Sequence, residues 1–266
     1  MNALKTLPLL IASLLSCQPA FAEDGLISDA SEKPADVSGA GGDWKFALGG
    51  GIASTPRYEG SSRNRLRFAP LIEVEHGRFF AGAARGIGYN MSDDKDIQYG
   101  PRLTLAPYRR QSADRHLHGM GDIGYGGEIG GFVNARFAPW YVMSGIAAGS
   151  NGSRLELDGG YEARLSQEDR IRAGLELNWA DNKYMQTYFG VSAAQSTASG
   201  GVLAPFNAGS GIRNYGLKIN WTHAYSKEWF SNAGISYKQL SGSAANSPLT
   251  MRRSMSTVSF VVGYRF

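Results

Sequence analysis

The sequence predicts an all-β protein, an antiparallel transmembrane β-barrel of about 12 strands. Three observations carry that prediction. Segments of roughly ten residues alternate apolar and polar side chains along most of the chain, the period-2 pattern of a strand with one apolar face, at the length a tilted strand needs to cross a bilayer. The first two dozen residues read as an export signal. Glycine is abundant, 35 of 266 residues, and aromatics reach 11%, yet mean hydropathy is slightly negative, as expected when one face of every strand is apolar and the other polar.

The N-terminal stretch "MNALKTLPLLIASLLSCQPAFAED" places Lys5 before an apolar run from Leu7 to Leu15 and ends in Ala20-Phe21-Ala22 ahead of Glu23 and Asp24. This predicts a signal peptide over 1–22, cleaved after Ala22. The run is too short for a spanning helix, which needs about 20 residues. Cys17, the single cysteine, falls inside the signal, in an "LLSC" that also resembles a lipoprotein cleavage site; the Ala-x-Ala site fits better. The mature chain then has no thiol for disulfides or thiolate metal sites. Cleavage removes Lys5 and leaves 26 basic against 23 acidic residues, a small and scattered excess that argues against a nucleic-acid partner.

Residues 23–42 are rich in Ser, Asp, Gly and Pro and are expected to form a flexible periplasmic leader. From Trp44 the alternation predicts a barrel over 43–266, with strands at 44–53, 65–75, 78–89, 96–108, 123–136, 139–149, 153–166, 169–180, 184–192, 211–224, 228–240 and 256–266. An even count puts both ends of the barrel on the periplasmic side. "AYSKE" is then a short periplasmic turn, and 193–210 and 241–255 are long external loops. The same count leaves the long segment 109–122 on the periplasmic side, which implies a miscounted strand or an inward-folded plug.

Two consecutive segments give the clearest faces. Leu155, Leu157, Tyr161, Ala163 and Leu165 oppose Arg154, Glu156, Asp158, Glu162 and Arg164; Ile171, Ala173, Leu175, Leu177 and Trp179 oppose Arg170, Arg172, Glu176 and Asn178. A charged lumen accounts for the second set in each. The expected lumen-facing charges are Arg102, Arg154, Glu156, Glu162, Arg164, Arg170, Arg172, Glu176, Lys218 and Lys238. Trp44, Tyr89, Trp140, Trp179, Tyr184, Tyr188, Trp221, Trp229 and Phe266, near strand ends, are expected in interfacial girdles.

No catalytic, cofactor or metal residues are assigned. "GMGDIG" at 119–124 matches G-x-G-x-x-G in letters, but a dinucleotide site needs a strand before and a helix after, and alternating "IGYGGEIGGFV" follows. His116-x-His118 beside Asp114 and Asp122 could ligate a metal or form a base with an orienting carboxylate. Two histidines in a polar loop are more often simply solvated, and no motif places a nucleophile near these, His76 or His223.

The segments "STPRYEGSS", "HLHGMGDI", "NWADNKYMQTYFGVS", "NSPLT" and the terminal "VGYRF" together give the chain a resemblance to the MipA/OmpV family of outer-membrane proteins, spread over nearly all of the mature chain. The resemblance implies an outer-membrane barrel that, in the founding member, bridges the lytic transglycosylase MltA to a murein synthase. Other members look like porins, so a narrow channel is the alternative function, and a lipid-modifying barrel enzyme a third. The partners implied are outer-membrane lipid, the barrel-assembly machinery, a lytic transglycosylase and a murein synthase.

The terminal "STVSFVVGYRF" sets Phe260, Val262, Tyr264 and Phe266 on one face, with Val261 as the apolar exception on the other. It is expected to be the closing strand, pairing near Trp44. Its aromatic terminus resembles the signal read by the assembly machinery.

Overall fold

The computed structural model describes residues 44–266; the expected signal peptide and leader, 1–22 and 23–42, lie outside the described residues. Twelve antiparallel strands close into one barrel: β1 (Trp44–Pro56), β2 (Asn64–His76), β3 (Phe79–Gly82), β4 (Gly86–Tyr89), β5 (Ile97–Leu105), β6 (Gly127–Phe137), β7 (Trp140–Gly149), β8 (Gly152–Arg164), β9 (Asp169–Ala180), β10 (Gly211–Ala224), β11 (Trp229–Leu240) and β12 (Ser254–Arg265). Three short helices lie between strands: α1 (Asn182–Phe189), α2 (Ala193–Ala198) and α3 (Gly242–Asn246).

The count of twelve arises from two differences that cancel. The segment 78–89 is not one strand but the hairpin β3–β4, turned at residues 83–85, where Gly86 takes φ +79°. The segment 184–192 is not a strand but mostly helix: the Asp181 carboxylate accepts from the Tyr184 N–H at 2.7 Å and caps α1. The residues α1 buries, Tyr184, Met185, Tyr188 and Phe189, recur at i, i+1, i+4 and i+5, a helical stripe. Tyr184 and Tyr188 are accordingly buried and do not belong to a girdle. Splitting 78–89 also moves 109–122 to the end that carries the other long loops, which removes the long periplasmic connection that the sequence had implied.

The barrel closes where β1 pairs with β12, from Ala47↔Arg265 to Ser54↔Val258. Glycine is required at this seam: a Cβ on Gly49 or Gly51 would collide with the carbonyls of Val262 and Phe260. The two-residue β7–β8 turn at Ser150–Asn151 lies at the opposite end, whereas the short turns at 77–78, 138–139, 165–168 and 225–228 lie at the end that holds Trp44 and Phe266. Aromatic pairs ring that end: Phe79 with Tyr89 at 4.8 Å, Trp140 with Tyr161 at 5.3 Å, Trp229 with Tyr264 at 5.1 Å. Such a girdle, below an outer face of exposed Leu, Ile, Val and Phe, is the surface a bilayer demands.

Val261, the apolar residue on the polar parity, is fully buried inside the barrel with Ala53, Leu71 and Phe230. The Arg265 guanidinium sits 3.9 Å over the Phe230 ring. This apolar knot fills part of the lumen next to the closing seam.

A cross-linked lumen under a folded cap

Period-2 alternation brings charged residues of neighbouring strands to the inner face, where many meet an opposite charge. Arg154 on β8 meets Glu128 on β6 at 2.9 Å and also bonds Glu156. Arg102 on β5 lies 3.6 Å from Glu156, and the Thr104 hydroxyl donates to Glu128 at 3.0 Å. Further round, Lys218 meets Asp158 at 3.1 Å and Lys238 meets Glu176 at 3.4 Å. Toward the short-turn end Glu162 accepts from Arg172 at 2.7 Å and lies 3.6 Å from Arg170. Burying a cation in such a wall is tolerable only with partners of this kind. Arg164 differs: it is exposed at the rim and donates to the Ser166 and Gln167 carbonyls.

Three members of the network escaped the sequence reading. Glu128 stands in "GGEIGG", where glycine hides the alternation. Arg213 has the parity of the outward residues Tyr215 and Leu217, but a register shift between Ile212 and Asn214 turns both Arg213 and Asn214 inward, as a β-bulge does. Glu59 lies in the β1–β2 loop, where no period speaks. Together they build one cluster: Glu59 accepts from Arg213 at 3.0 Å and from Asn214 at 2.6 Å, and Arg213 donates to the Tyr184 hydroxyl at 2.6 Å.

The long loops fold over this end as a cap with its own core. Tyr184, Met185 and Phe189 of α1 pack with Leu240, Ala244 and Met255; Tyr58, Leu117, Met120, Val191, Leu203 and Leu249 form a second cluster. Four of the segments that carry the family likeness converge here. Tyr58 of "STPRYEGSS" donates to the Leu249 carbonyl of "NSPLT" at 3.0 Å. His116 of "HLHGMGDI" bonds the Pro248 carbonyl at 2.8 Å, and Ser247 donates to the Phe189 carbonyl of "NWADNKYMQTYFGVS" at 2.6 Å. Arg109, in the loop after β5, donates to the Tyr188 carbonyl of α1 at 2.6 Å. Burial brings its guanidinium down to about 10, with Tyr58 and Tyr188 acting against that fall. Burial likewise pushes the Tyr58 phenol up, helped by Asp114.

"GMGDIG" is a turn of this cap, with Gly119 and Gly121 at φ +84° and +72°, followed by β6 and not by a helix. The histidines are dispersed. His116 serves the cap, His118 is exposed, His76 stacks on Trp44 at 4.3 Å and His223 bonds Asp169 at 2.9 Å. Among the described residues no three His, Cys, Asp or Glu side chains gather as a metal site.

Under the cap, β1, β2, β10, β11 and β12, together with Glu59, Tyr108 and Tyr188 of the loops and α1, line a cavity of only about 100 Å³. A larger cavity of about 640 Å³ is lined by residues of β3 to β10.

Solved structures with a similar backbone include an outer membrane channel from Pseudomonas putida F1 (9% identity, TM-score 0.45, covering 89% of this chain and 100% of that one). A FadL homologue from Pseudomonas aeruginosa (8%, 0.40, 90% and 93%) and the toluene transporter TodX from Pseudomonas putida (11%, 0.39, 91% and 92%) are also similar. No curated protein matches the sequence. The family model described as MltA-interacting protein MipA matches residues 48–266, nearly the entire barrel. The chain therefore belongs to the MipA family.

Proposed function

We propose that this outer-membrane β-barrel is a non-enzymatic scaffold, holding a lytic transglycosylase and through it a murein synthase at the periplasmic face. The observation that carries the reading is the lumen, laced by ion pairs from β5 round to β11 and roofed by a cap with two apolar clusters. A lumen so cross-linked and roofed favours a binding body over a narrow pore. The family model's own description, an MltA-interacting protein, supports a lytic transglycosylase as partner. His76, His116 and His223 are each engaged by a neighbouring side chain or carbonyl, which favours structural roles over catalysis. In this reading Phe260, Val262, Tyr264 and Phe266 are the assembly signal. The test is co-purification of the full chain, reconstituted in lipid, with a purified lytic transglycosylase and a murein synthase. Recovery above that on an unrelated barrel is expected, and recovery equal to it contradicts the scaffold role.

A further inference from the structure

The hairpin β3–β4 is too short to cross a membrane. Its strands hold four residues each, against the 9–11 or so that crossing takes, so it builds only the short-turn half of the wall. β2 pairs with β3 no further than Glu73↔Gly82. Its remaining residues, 64–72, are in register with β1 alone, apart from the Ala83 N–H, which donates to the Ile72 carbonyl at 3.1 Å. On the other side β4 leaves β5 at Ile87↔Leu103. Above the turn, two strands are missing from the wall between β2 and β5, a width of roughly three strand spacings of about 4.8 Å.

The surroundings fit an opening. Pro70, which has no N–H to leave unpaired, sits in the part of β2 that borders the gap. Leu66 and Phe68 beside it are exposed on the outer face. The turn bends inward: Ala84 packs on the cluster of Leu71 and Phe230, and Arg85 pairs with Glu75 at 2.7 Å. Arg67 crosses above the gap to the Tyr108 hydroxyl at 3.3 Å. The 640 Å³ cavity lies directly behind, bordered by Arg102 and Glu128 of the inner face and also by Ile87, Leu103 and Ile129 of the outer one.

We propose that this gap is a lateral portal through which the lumenal cavity takes a single-chain zwitterionic amphiphile from the bilayer. The cavity has the size of a ligand site and a lining both apolar and charged. Phe80 and Phe132, edge to face at 5.3 Å, supply apolar surface with Met143 and Ala84. The same lining carries charges in balance, with Arg85 over the Phe80 ring at 4.4 Å: four cations, Arg85, Arg102, Arg154 and Lys218, and four carboxylates, Glu128, Glu156, Asp158 and Glu176. A lining of zero net charge suits a head group that bears both signs better than a free anion or cation. Entry from the side needs no axial passage and leaves the cap closed.

The test uses the absence of cysteine from residue 18 onward. A bimane fluorophore is attached to Thr104→Cys, on the cavity wall, and separately to Thr222→Cys, an inner-face site remote from it, in protein refolded into phosphatidylcholine vesicles. Met143→Cys replaces Thr104→Cys should the latter not refold. Lysophosphatidylcholine with a nitroxide on its chain is expected to quench the label at position 104 severalfold more than at 222, and unlabelled lysophosphatidylcholine to relieve that quenching. Equal quenching at the two positions, or quenching that the unlabelled amphiphile does not relieve, overturns the proposal.

Discussion

Arg213 and Glu59, 154 residues apart, meet at 3.0 Å with the guanidinium almost fully buried. A bulge on β10 delivers the cation and the β1–β2 loop delivers the carboxylate, so this pair pins the cap to the barrel wall. Removing one partner of a buried pair leaves an uncompensated charge and costs about 3–5 kcal/mol. Glu59→Ala is therefore expected to loosen the cap, read as faster proteolysis within the long loops while the barrel keeps its heat-modifiable mobility. Pairing it with Arg213→Met is expected to restore part of the resistance, because no orphan charge then remains.

Asp181 caps α1, and the loss of such a cap costs about 1 kcal/mol. Asp181→Ala is expected to speed hydrogen exchange across 182–189. Burial pushes the Asp181 carboxyl up, but hydrogen bonds from the backbone of Tyr184, Ser153 and Lys183 outweigh it and leave it below its ordinary value. A carboxyl depressed in the folded state stabilises above its unfolded value and loses that contribution as pH falls through the folded one. The exchange difference between Asp181→Ala and the parent protein should accordingly shrink on acidification below pH 4 or so.

At the closing seam, Gly51→Val places a branched side chain against the Phe260 carbonyl. Overpacking of this sort costs about 1–3 kcal/mol, and here it acts on the pairing that completes the barrel. The expected result is a smaller fraction of heat-modifiable, folded protein on refolding into detergent, with secretion unchanged.

Phe266 is 69% exposed, and its ring meets Tyr264 at 4.8 Å. If the terminal aromatic face is an assembly signal, Phe266→Ala lowers the amount of folded barrel in outer-membrane fractions in vivo while leaving spontaneous refolding of the purified chain nearly untouched. The contrast between the two measurements separates recognition from stability.

The barrel was legible in the sequence wherever side chains of clear polarity alternate without interruption, as along β8 and β9. It became illegible for three physical reasons. Glycine carries no side chain to alternate, so "FFAGAARGIGY" concealed a hairpin and "GGEIGG" concealed Glu128. A bulge reverses parity, so Arg213, on the parity of Tyr215 and Leu217, gave no sign in the sequence of facing inward. The aromatic spacing of Tyr184 and Tyr188 suits a helix as well as a girdle, and the cap at Asp181 is the local signal that decides between them. The cap as a body was beyond reach, because its contacts, such as Tyr58 to Leu249, join loops with no periodicity of their own.

The central claim is that the lumen is closed, crossed by ion pairs and roofed by the cap. Single-channel recording of the reconstituted protein in planar bilayers tests it most directly. A quiet baseline is predicted for the parent protein, with openings appearing only when the cap is released, as in Glu59→Ala. Stable, discrete conductance steps from the parent protein would contradict the account.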